Sequence, residues 1–356
     1  HGVPFNFEGW KHIVDNHGGY LPVEIMAVPE GSLIPNKNVL MTVRNTDPAV
    51  PFITSYIETA ALRLWYPITV ASRGLAMKRN IKHVFDQTSD VGDLSFALLD
   101  FSARGCTAYE SNMIGGSAHL VNFLGSDSMS AVRYVNKLYD TPMSGFSVIA
   151  TEHSIMCAYG IQNELASFER MIEVTKEGAI LSVVSDTWNI FEAVDMWVTL
   201  KDKLRAKNIT LVVRPDSGDI KEVMTRVLAK LADGFGGVKN KKGYDVLNGV
   251  KVLWGDGMNE DTITQPFHAA RGLRISADSI MAGSGGGLMQ ADIDRDTNKF
   301  AFKASNIIIN GLDVPIAKDP ITDPGKVSKK GKMKLTQLED TILNTGRQYH
   351  TVTSVE

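Results

Sequence analysis

Ala179-Ile-Leu-Ser-Val-Val184-Ser-Asp186, answered further on by Ile209-Thr-Leu-Val-Val213-Arg-Pro-Asp216, decides the fold. Each stretch is a near-continuous apolar, β-branched run that closes on polar residues. Between them Ile190, Val194 and Trp197 fall on one face of a helix. Strands apolar on both faces, alternating with amphipathic helices, make a parallel sheet covered by helices. Outward from this pair the same pattern recurs at Leu94–Leu99, His119–Phe123, Phe146–Ala150, Val250–Trp254 and Ser279–Ala282, and Leu165, Phe168 and Ile172 supply another helical face. The runs start roughly 25 to 40 residues apart, the length of a βα unit. Seven units in succession predict an α/β fold with a (β/α) barrel rather than an open sheet.

The flanks read differently. Val23–Val28 and Val39–Val43 are strand-like and are joined by Pro29-Glu-Gly-Ser-Leu-Ile-Pro35. Ile57–Leu64 reads as a helix ending before Trp65-Tyr-Pro67, because Pro67 disfavours helix at its predecessor. Residues 1–90 are therefore expected in an accessory α+β, mostly β, domain, 91–304 in the barrel, and 305–356 in a segment returning to the accessory domain. Lys326-Val-Ser-Lys-Lys-Gly-Lys332 reads as an exposed basic loop. Over 356 residues, 37 Lys and Arg against 40 Asp and Glu leave a net charge of -3. That balance argues against a nucleic-acid coat, so a phosphate site has to be built locally. Cys106 and Cys157 are the only cysteines, too few for a disulfide framework. No apolar run reaches the ~18 residues of a membrane span, and no signal peptide opens the sequence. The expectation is a cytoplasmic protein with neither nucleic acid nor membrane as partner.

In a (β/α) barrel the chemistry sits where strands end. The seven ends read Asp100-Phe-Ser-Ala-Arg104-Gly, Leu124-Gly-Ser-Asp127, Thr151-Glu-His153-Ser, Ser185-Asp186, Arg214-Pro-Asp216-Ser-Gly218, Gly255-Asp256-Gly257 and Gly283-Ser-Gly-Gly-Gly287. Asp and Gly are common in turns, so one such end means little; seven together point to a site. Gly283–Gly287, ahead of a helix expected near Leu288, lets backbone N–H groups converge on an anion. It matches neither the P-loop nor the dinucleotide fingerprint. Arg104, Arg214, Arg295, Lys303, Lys318 and Lys326 are candidates for phosphate, and Asp216 and Asp256 for a ribose or a phosphate-bound Mg²⁺ with no metal held by the protein alone. His153 stands at a strand end with Glu152 beside it and Asp186 as a second acid to face it. The histidines show no zinc spacing.

With these residues in hand the chain resembles the nicotinamide phosphoribosyltransferase family of type II phosphoribosyltransferases. The resemblance runs through Leu21-Pro-Val-Glu-Ile, Val28-Pro-Glu-Gly, Asn45-Thr-Asp-Pro48, Trp65-Tyr-Pro-Ile-Thr-Val70 and Ser117-Ala-His-Leu-Val-Asn-Phe123. It continues in Glu152-His-Ser154, Val183-Val-Ser-Asp186, Arg214-Pro-Asp-Ser-Gly218, Gly255-Asp-Gly257, Gly283-Ser-Gly-Gly-Gly-Leu288 and Lys318-Asp-Pro320, covering nearly the whole chain. It implies transfer of phosphoribosyl from phosphoribosyl pyrophosphate to nicotinamide, with Mg²⁺, stimulated by ATP, in a homodimer with shared sites. By the same matching Phe101 stacks on the pyridine ring and Arg214 lies against it. Asp127 accepts from the carboxamide and repels the carboxylate of nicotinate. Asp216, Asp256, Gly285 and Gly286 hold the phosphoribosyl part, while Arg104, Arg295, Lys303, Lys318 and Lys326 face phosphates. His153 matches the phosphorylated histidine, with Asp186 or Glu152 fixing its tautomer.

Two departures are visible. Ser102-Ala103 replaces the Gly-Tyr of animal members, and Ala301 stands in place of a serine near the phosphate. Family members also begin with a Ser-Tyr-Lys segment, extend past Glu356 and carry an insertion near Gln337–Leu338, so a longer chain is expected. The rival readings are a nicotinate phosphoribosyltransferase, against which Asp127 argues, and a non-catalytic binding protein that keeps the fold.

Overall fold

Seven short strands organise the larger of two compact units, Tyr66–Asp294, in this computed structural model, which describes residues 2–338 and 348–354. They are β1 (Leu98–Asp100), β2 (Gly125–Ser126), β3 (Ile149–Ala150), β4 (Ile180–Val184), β5 (Thr210–Arg214), β6 (Val250–Trp254) and β7 (Ile280–Ser284). All pair in parallel, in the order β2-β1-β7-β6-β5-β4-β3. A bridge between Gly125 and Phe146 links the two ends of that order, so the sheet is curled.

Apart from the exposed β3, the strands are buried along most of their length on both faces, which is why they read as continuous apolar runs. Leu181, Val183, Leu211, Val213 and Val252 point into the core under the helices. On the other face Leu99, Val212 and Leu253 form a small separate cluster against Phe101 and Met281. Each such side chain, fully buried, contributes about 1.5–3 kcal/mol. Trp197, on the helix Ile190–Thr199, stacks on Phe168 with centroids 4.2 Å apart and donates its indole N–H to Ser185 Oγ at 3.1 Å. Core packing thus ties directly to the end of β4.

One strand expectation is overturned. His119–Phe123 is the end of the helix Tyr109–His119 and the turn after it; the strand is Gly125–Ser126. Gly115 and Gly116 lower helix propensity there. Packing supplies what propensity lacks, since a Cβ on Gly116 would stand 2.5 Å from the Ala131 methyl. Buried His119 stacks on Phe123 and donates to the Gly125 carbonyl. The helix after β7 also differs, being the single turn Gly286–Met289.

The smaller unit combines His1–Trp65 with Arg295–Glu356. It contains the helices Phe7–His17 and Ile53–Leu62 and three antiparallel hairpins: Val23–Ala27 with Met41–Asn45, Asn306–Ile309 with Leu312–Pro315, and Lys332–Leu338 with Gln348–Ser354. Ile13, Val50 and Ile53 make its core. Its two chain segments meet where Val39 N–H donates to Thr351 Oγ1 and that hydroxyl donates to Asn38. The division falls at 65/66 and 294/295, not at the 90 and 304 read from the sequence. The reason is the helix Trp65–Thr88, which buries Val70, Met77, Ile81, Val84 and Phe85 in the larger core. Pro67 lies in its first turn, where a missing N–H breaks no helical bond. His1 and Glu356 lie outside the described residues, as do 339–347, so the expectation of a longer chain falls outside them too. Among the described residues no helix is long and apolar enough to cross a membrane.

Candidate active site

Asp100 closes β1 and is fully buried, which requires partners for its carboxylate. Oδ1 accepts from Ser102 N–H at 2.9 Å, Oδ2 accepts from the Ser126 hydroxyl at 3.0 Å, and its carbonyl accepts from Asp127 N–H at 2.9 Å. One residue therefore fixes the loops carrying Phe101 and Asp127. Phe101 N–H continues the pairing with β7 by donating to the Ser284 carbonyl at 2.9 Å. Its ring lies over Gly283, where a Cβ would come within 2.2 Å of a ring carbon. The Arg214 guanidinium, from the end of β5, stands 5.1 Å from that ring's centroid. Burial pushes Arg214 below the usual arginine range, against the pull of Asp216, Asp127 and Asp186. Its buried Nε meets no hydrogen-bond partner among the described residues. Asp127 Oδ1 accepts from the Ser147 hydroxyl at 2.5 Å.

A second group forms at the ends of β3, β4 and β5. His153 opens the helix His153–Tyr159 and its Nε2 lies 2.8 Å from Asp186 Oδ1. The Asp186 side chain is only 6% exposed. Its Oδ2 accepts from Asp216 N–H at 3.0 Å and from the Ser217 hydroxyl at 2.6 Å. Glu152 instead accepts from the Ser154 hydroxyl. Of the two acids left open by the sequence, Asp186 is thus the one that holds the imidazole. Burial raises the Asp216 carboxyl, with Asp186 and Asp256 adding to the rise and Arg214 and His153 opposing it. Gly255 makes room for that carboxylate, because a Cβ there would lie 2.7 Å from Asp216 Oδ1. The Trp254 indole donates to the Asp256 carbonyl at 2.6 Å and shapes the next loop, in which Gly257 takes a φ of 64°.

Gly285 and Gly286 lie against the loop of Arg104. A Cβ on Gly105 would fall 2.8 Å from Gly286 Cα and one on Gly286 3.2 Å from the Gly105 carbonyl oxygen, so these two backbones are closely apposed, while a Cβ on Gly285 would meet only the Phe101 carbonyl, at 3.9 Å. Arg104 itself is exposed and near enough to Arg214 to oppose its charge. Phe101, Arg104, Asp127, His153, Asp186, Arg214, Asp216, Asp256, Gly285 and Gly286 all stand at strand ends of the larger unit.

The other four basic candidates belong to the smaller unit. There Arg295 pairs with Asp296 at 2.7 Å, Lys303 with Glu58 at 3.3 Å and Lys326 with Asp323 at 3.3 Å, while Lys318 is exposed. Reading the sequence missed Ser147, Ser217 and the anchoring role of Asp100. Ser147 sits two residues before β3, and its polarity within an apolar run is the one signal that marks it.

Carboxylates able to hold sugar hydroxyls or a phosphate-borne cation, a guanidinium on an aromatic ring and a carboxylate-held imidazole suit a phosphorylated sugar and a flat base. Comparison with known proteins bears on this directly. Residues 96–352 match the nicotinate phosphoribosyltransferase (NAPRTase) family. The chain is 43% identical over 340 residues to the nicotinamide phosphoribosyltransferase of Xanthomonas campestris pv. campestris (strain 8004), covering 94% of this chain and 72% of that protein. It is 31% identical to the protein of the same name in Acinetobacter baylyi (strain ATCC 33305 / BD413 / ADP1), over 95% of this chain and 72% of the relative. For the Mycoplasma genitalium (strain ATCC 33530 / DSM 19775 / NCTC 10195 / G37) protein of that name the figures are 29%, 86% and 69%. Likeness of this extent, over the stretch that carries every strand end, shows that the chain belongs to the nicotinate phosphoribosyltransferase family.

Proposed function

We propose that this chain transfers the phosphoribosyl group of 5-phosphoribosyl 1-pyrophosphate to nicotinamide, giving nicotinamide mononucleotide and pyrophosphate in NAD salvage. The relatives' shared name supports the reaction, while the family's description alone leaves the choice of base open. Asp127, fixed by Ser147 on the loop held by Asp100, carries that choice. A carboxylate accepts from the carboxamide NH₂ of nicotinamide and repels the carboxylate of nicotinate, a mismatch costly in a desolvated site. Phe101 and Arg214 are the flat partners of the pyridine ring. In this reading the curled sheet is the (β/α) barrel of type II phosphoribosyltransferases and the smaller unit its accessory domain.

The bond to pyrophosphate breaks as the ring nitrogen approaches C1 of the ribose, and positive charge develops on the sugar. Asp216 and Asp256 orient the sugar and offset that charge, and Gly285 and Gly286 leave room for its 5-phosphate. The residues fit Mg²⁺, because Asp216 and Asp256 offer oxygen ligands where burial, with Asp186 and Asp256 adding to it, raises the Asp216 carboxyl. Asp216 and Asp256 would hold a Mg²⁺ bound with the substrate's phosphates, and the ion would supply positive charge for the leaving pyrophosphate. Arg104, Arg295, Lys303, Lys318 and Lys326 face phosphates in the same reading.

ATP acts as co-substrate through His153. Nε2–H donates to Asp186, so the lone pair resides on Nδ1. That lone pair forms the N–P bond to the γ-phosphorus while the P–O bond to ADP breaks, and Asp186 balances the charge left on the ring. Cytoplasmic location and a homodimer with shared sites complete the proposal. The test is a steady-state assay of both bases with phosphoribosyl pyrophosphate and Mg²⁺, with and without ATP. Nicotinamide is expected to be the better substrate and ATP to stimulate; preference for nicotinate overturns the reading of Asp127. Acid-labile label from γ-labelled ATP is expected to vanish in His153→Ala, and label that survives removes that assignment.

A further inference from the structure

Far along the chain from these strand ends, the smaller unit gathers two imidazoles and a carboxylate. His12 Nε2 and His17 Nε2 stand 2.7 Å and 2.8 Å from the same oxygen of Asp47, and the three potential ligand atoms lie within 4.8 Å of one another. The spacing explains why no zinc pattern showed in the sequence. Residues five apart point about 140° from each other on a straight helix, whereas zinc-binding helices pair positions four apart. Here His17 is the last residue of the helix Phe7–His17, capped by Gly18 at a φ of 61°, and its ring still meets the Asp47 oxygen that His12 contacts. The ring centroids are 5.8 Å apart.

Both sides of the cluster are held in place. Asp47 Oδ1 accepts from Ala49 N–H at 2.9 Å, its carbonyl accepts from Asn45 Nδ2 at 3.0 Å, and Thr46 N–H donates to the Pro22 carbonyl at 2.7 Å. The helix rests on Ile13, which packs with Val50 and Ile53 from just beyond the Asp47 turn. The side chains are 34%, 31% and 19% exposed for His12, His17 and Asp47, so solvent reaches them. Preformed ligands on rigid elements with open outer positions are what an ion needs.

We propose that His12, His17 and Asp47 bind one divalent transition-metal ion, Zn²⁺ by their donor set, with water completing the shell. Two nitrogens and a carboxylate oxygen are borderline ligands that suit Zn²⁺ and do not suit Mg²⁺ or Ca²⁺. The ion takes the place of the two N–H···O bonds. Each imidazole then carries its proton on Nδ1, and the ligand atoms move apart by a few tenths of an ångström. Asn16 is the outer partner of His12: its amide, now donating to Nδ1 and to the His12 carbonyl, turns so that Oδ1 accepts from Nδ1–H. The site pins the end of the helix to the turn after the first hairpin. It is independent of catalysis at His153.

The experiment titrates chelator-treated full-length protein with Zn²⁺ against a chromophoric chelator, alongside thermal unfolding and Co²⁺ absorption spectra. It is run on the wild type, His17→Gln, Asp47→Asn and, as a control for the histidine of the strand ends, His153→Ala. One equivalent of Zn²⁺ is expected, with a raised unfolding midpoint and Co²⁺ bands of a low-coordinate nitrogen and oxygen site. His153→Ala is expected to keep all three. His17→Gln, in which the glutamine amide still reaches Asp47, is expected to fold yet bind about 100-fold more weakly or not at all. Absence of saturable binding overturns the proposal. So does stoichiometric binding that His17→Gln and Asp47→Asn retain, or that His153→Ala loses.

Discussion

Asp127 and Ser147 make the sharpest residue-scale claim, since one hydroxyl fixes the carboxylate proposed to choose the base. Asp127→Asn removes the charge that repels nicotinate while keeping the shape. The ratio of kcat/KM for nicotinamide over nicotinate is expected to fall by about 10- to 100-fold. Ser147→Ala leaves the carboxylate but frees its rotation. The expected result is a rise of about tenfold in KM for nicotinamide with a smaller change in kcat, and unchanged constants would detach Ser147 from the base. The difference between the two variants explains why one residue was legible and the other was not. Asp127 ends a strand and so announced itself by position. Ser147 matters because the stretch around Phe146 lies beside β2, a tertiary neighbourhood that no local pattern encodes.

At the scale of elements, glycines decide what the strand ends are able to hold. Most of the strands were readable because both of their faces are buried along most of their length. The second was misplaced because the helix before it contains two glycines whose value lies in close packing, which propensity counts as a weakness. Gly283 is the test of this idea. Gly283→Ala drives a methyl into the Phe101 ring and shifts it, so a loss of about 10- to 100-fold in kcat/KM for nicotinamide is expected with the unfolding midpoint little changed. Activity near wild type would mean that the ring's seat is not needed. The helix Glu164–Val174 carries a different strain. Glu164 is buried, its Oε1 meets no hydrogen-bond partner among the described residues, and burial together with Glu192 pushes its carboxyl up to about 6. Below its ordinary value of 4.5 the group is neutral both folded and unfolded and contributes nothing. As pH rises the unfolded chain ionises first, so stability falls between those two values and the deficit is complete above the upper one. Glu164→Gln is therefore expected to be more stable than wild type by on the order of 1 kcal/mol at about pH 8 and equal to it near pH 4. Urea midpoints at both pH values check this.

On the scale of the whole molecule, charge is divided between two units. The strand ends of the larger unit hold a surplus of carboxylates, whereas Arg295, Lys303 and Lys326 each rest on an acidic neighbour of the smaller unit. If these cations serve the phosphates, they exchange those neighbours for substrate on binding. Lys318→Ala is then expected to raise KM for phosphoribosyl pyrophosphate several-fold and to weaken the dependence of KM on salt. A KM unaltered in both respects would exclude it from the phosphates. The smaller unit was the least legible part of the sequence, and the reasons are physical. Its first two hairpins are half-buried to exposed, so they lack the buried runs that marked β4 to β6. Its boundary was blurred because the helix beginning at Trp65 follows the accessory residues in sequence but packs in the other core.

The circular strand order has a consequence for how the protein is made. β1 pairs with β7, so Phe101 and Gly283, the proposed seat of the base, are brought together by the first and last strands of the sheet. During synthesis the platform for the ring emerges early and waits for nearly the whole larger unit before its other half leaves the ribosome. A nascent chain stopped just before β7 owns most of the polar residues of the proposed site yet lacks the backbone on which the Phe101 ring rests. The ring's platform is completed in one late step of assembly.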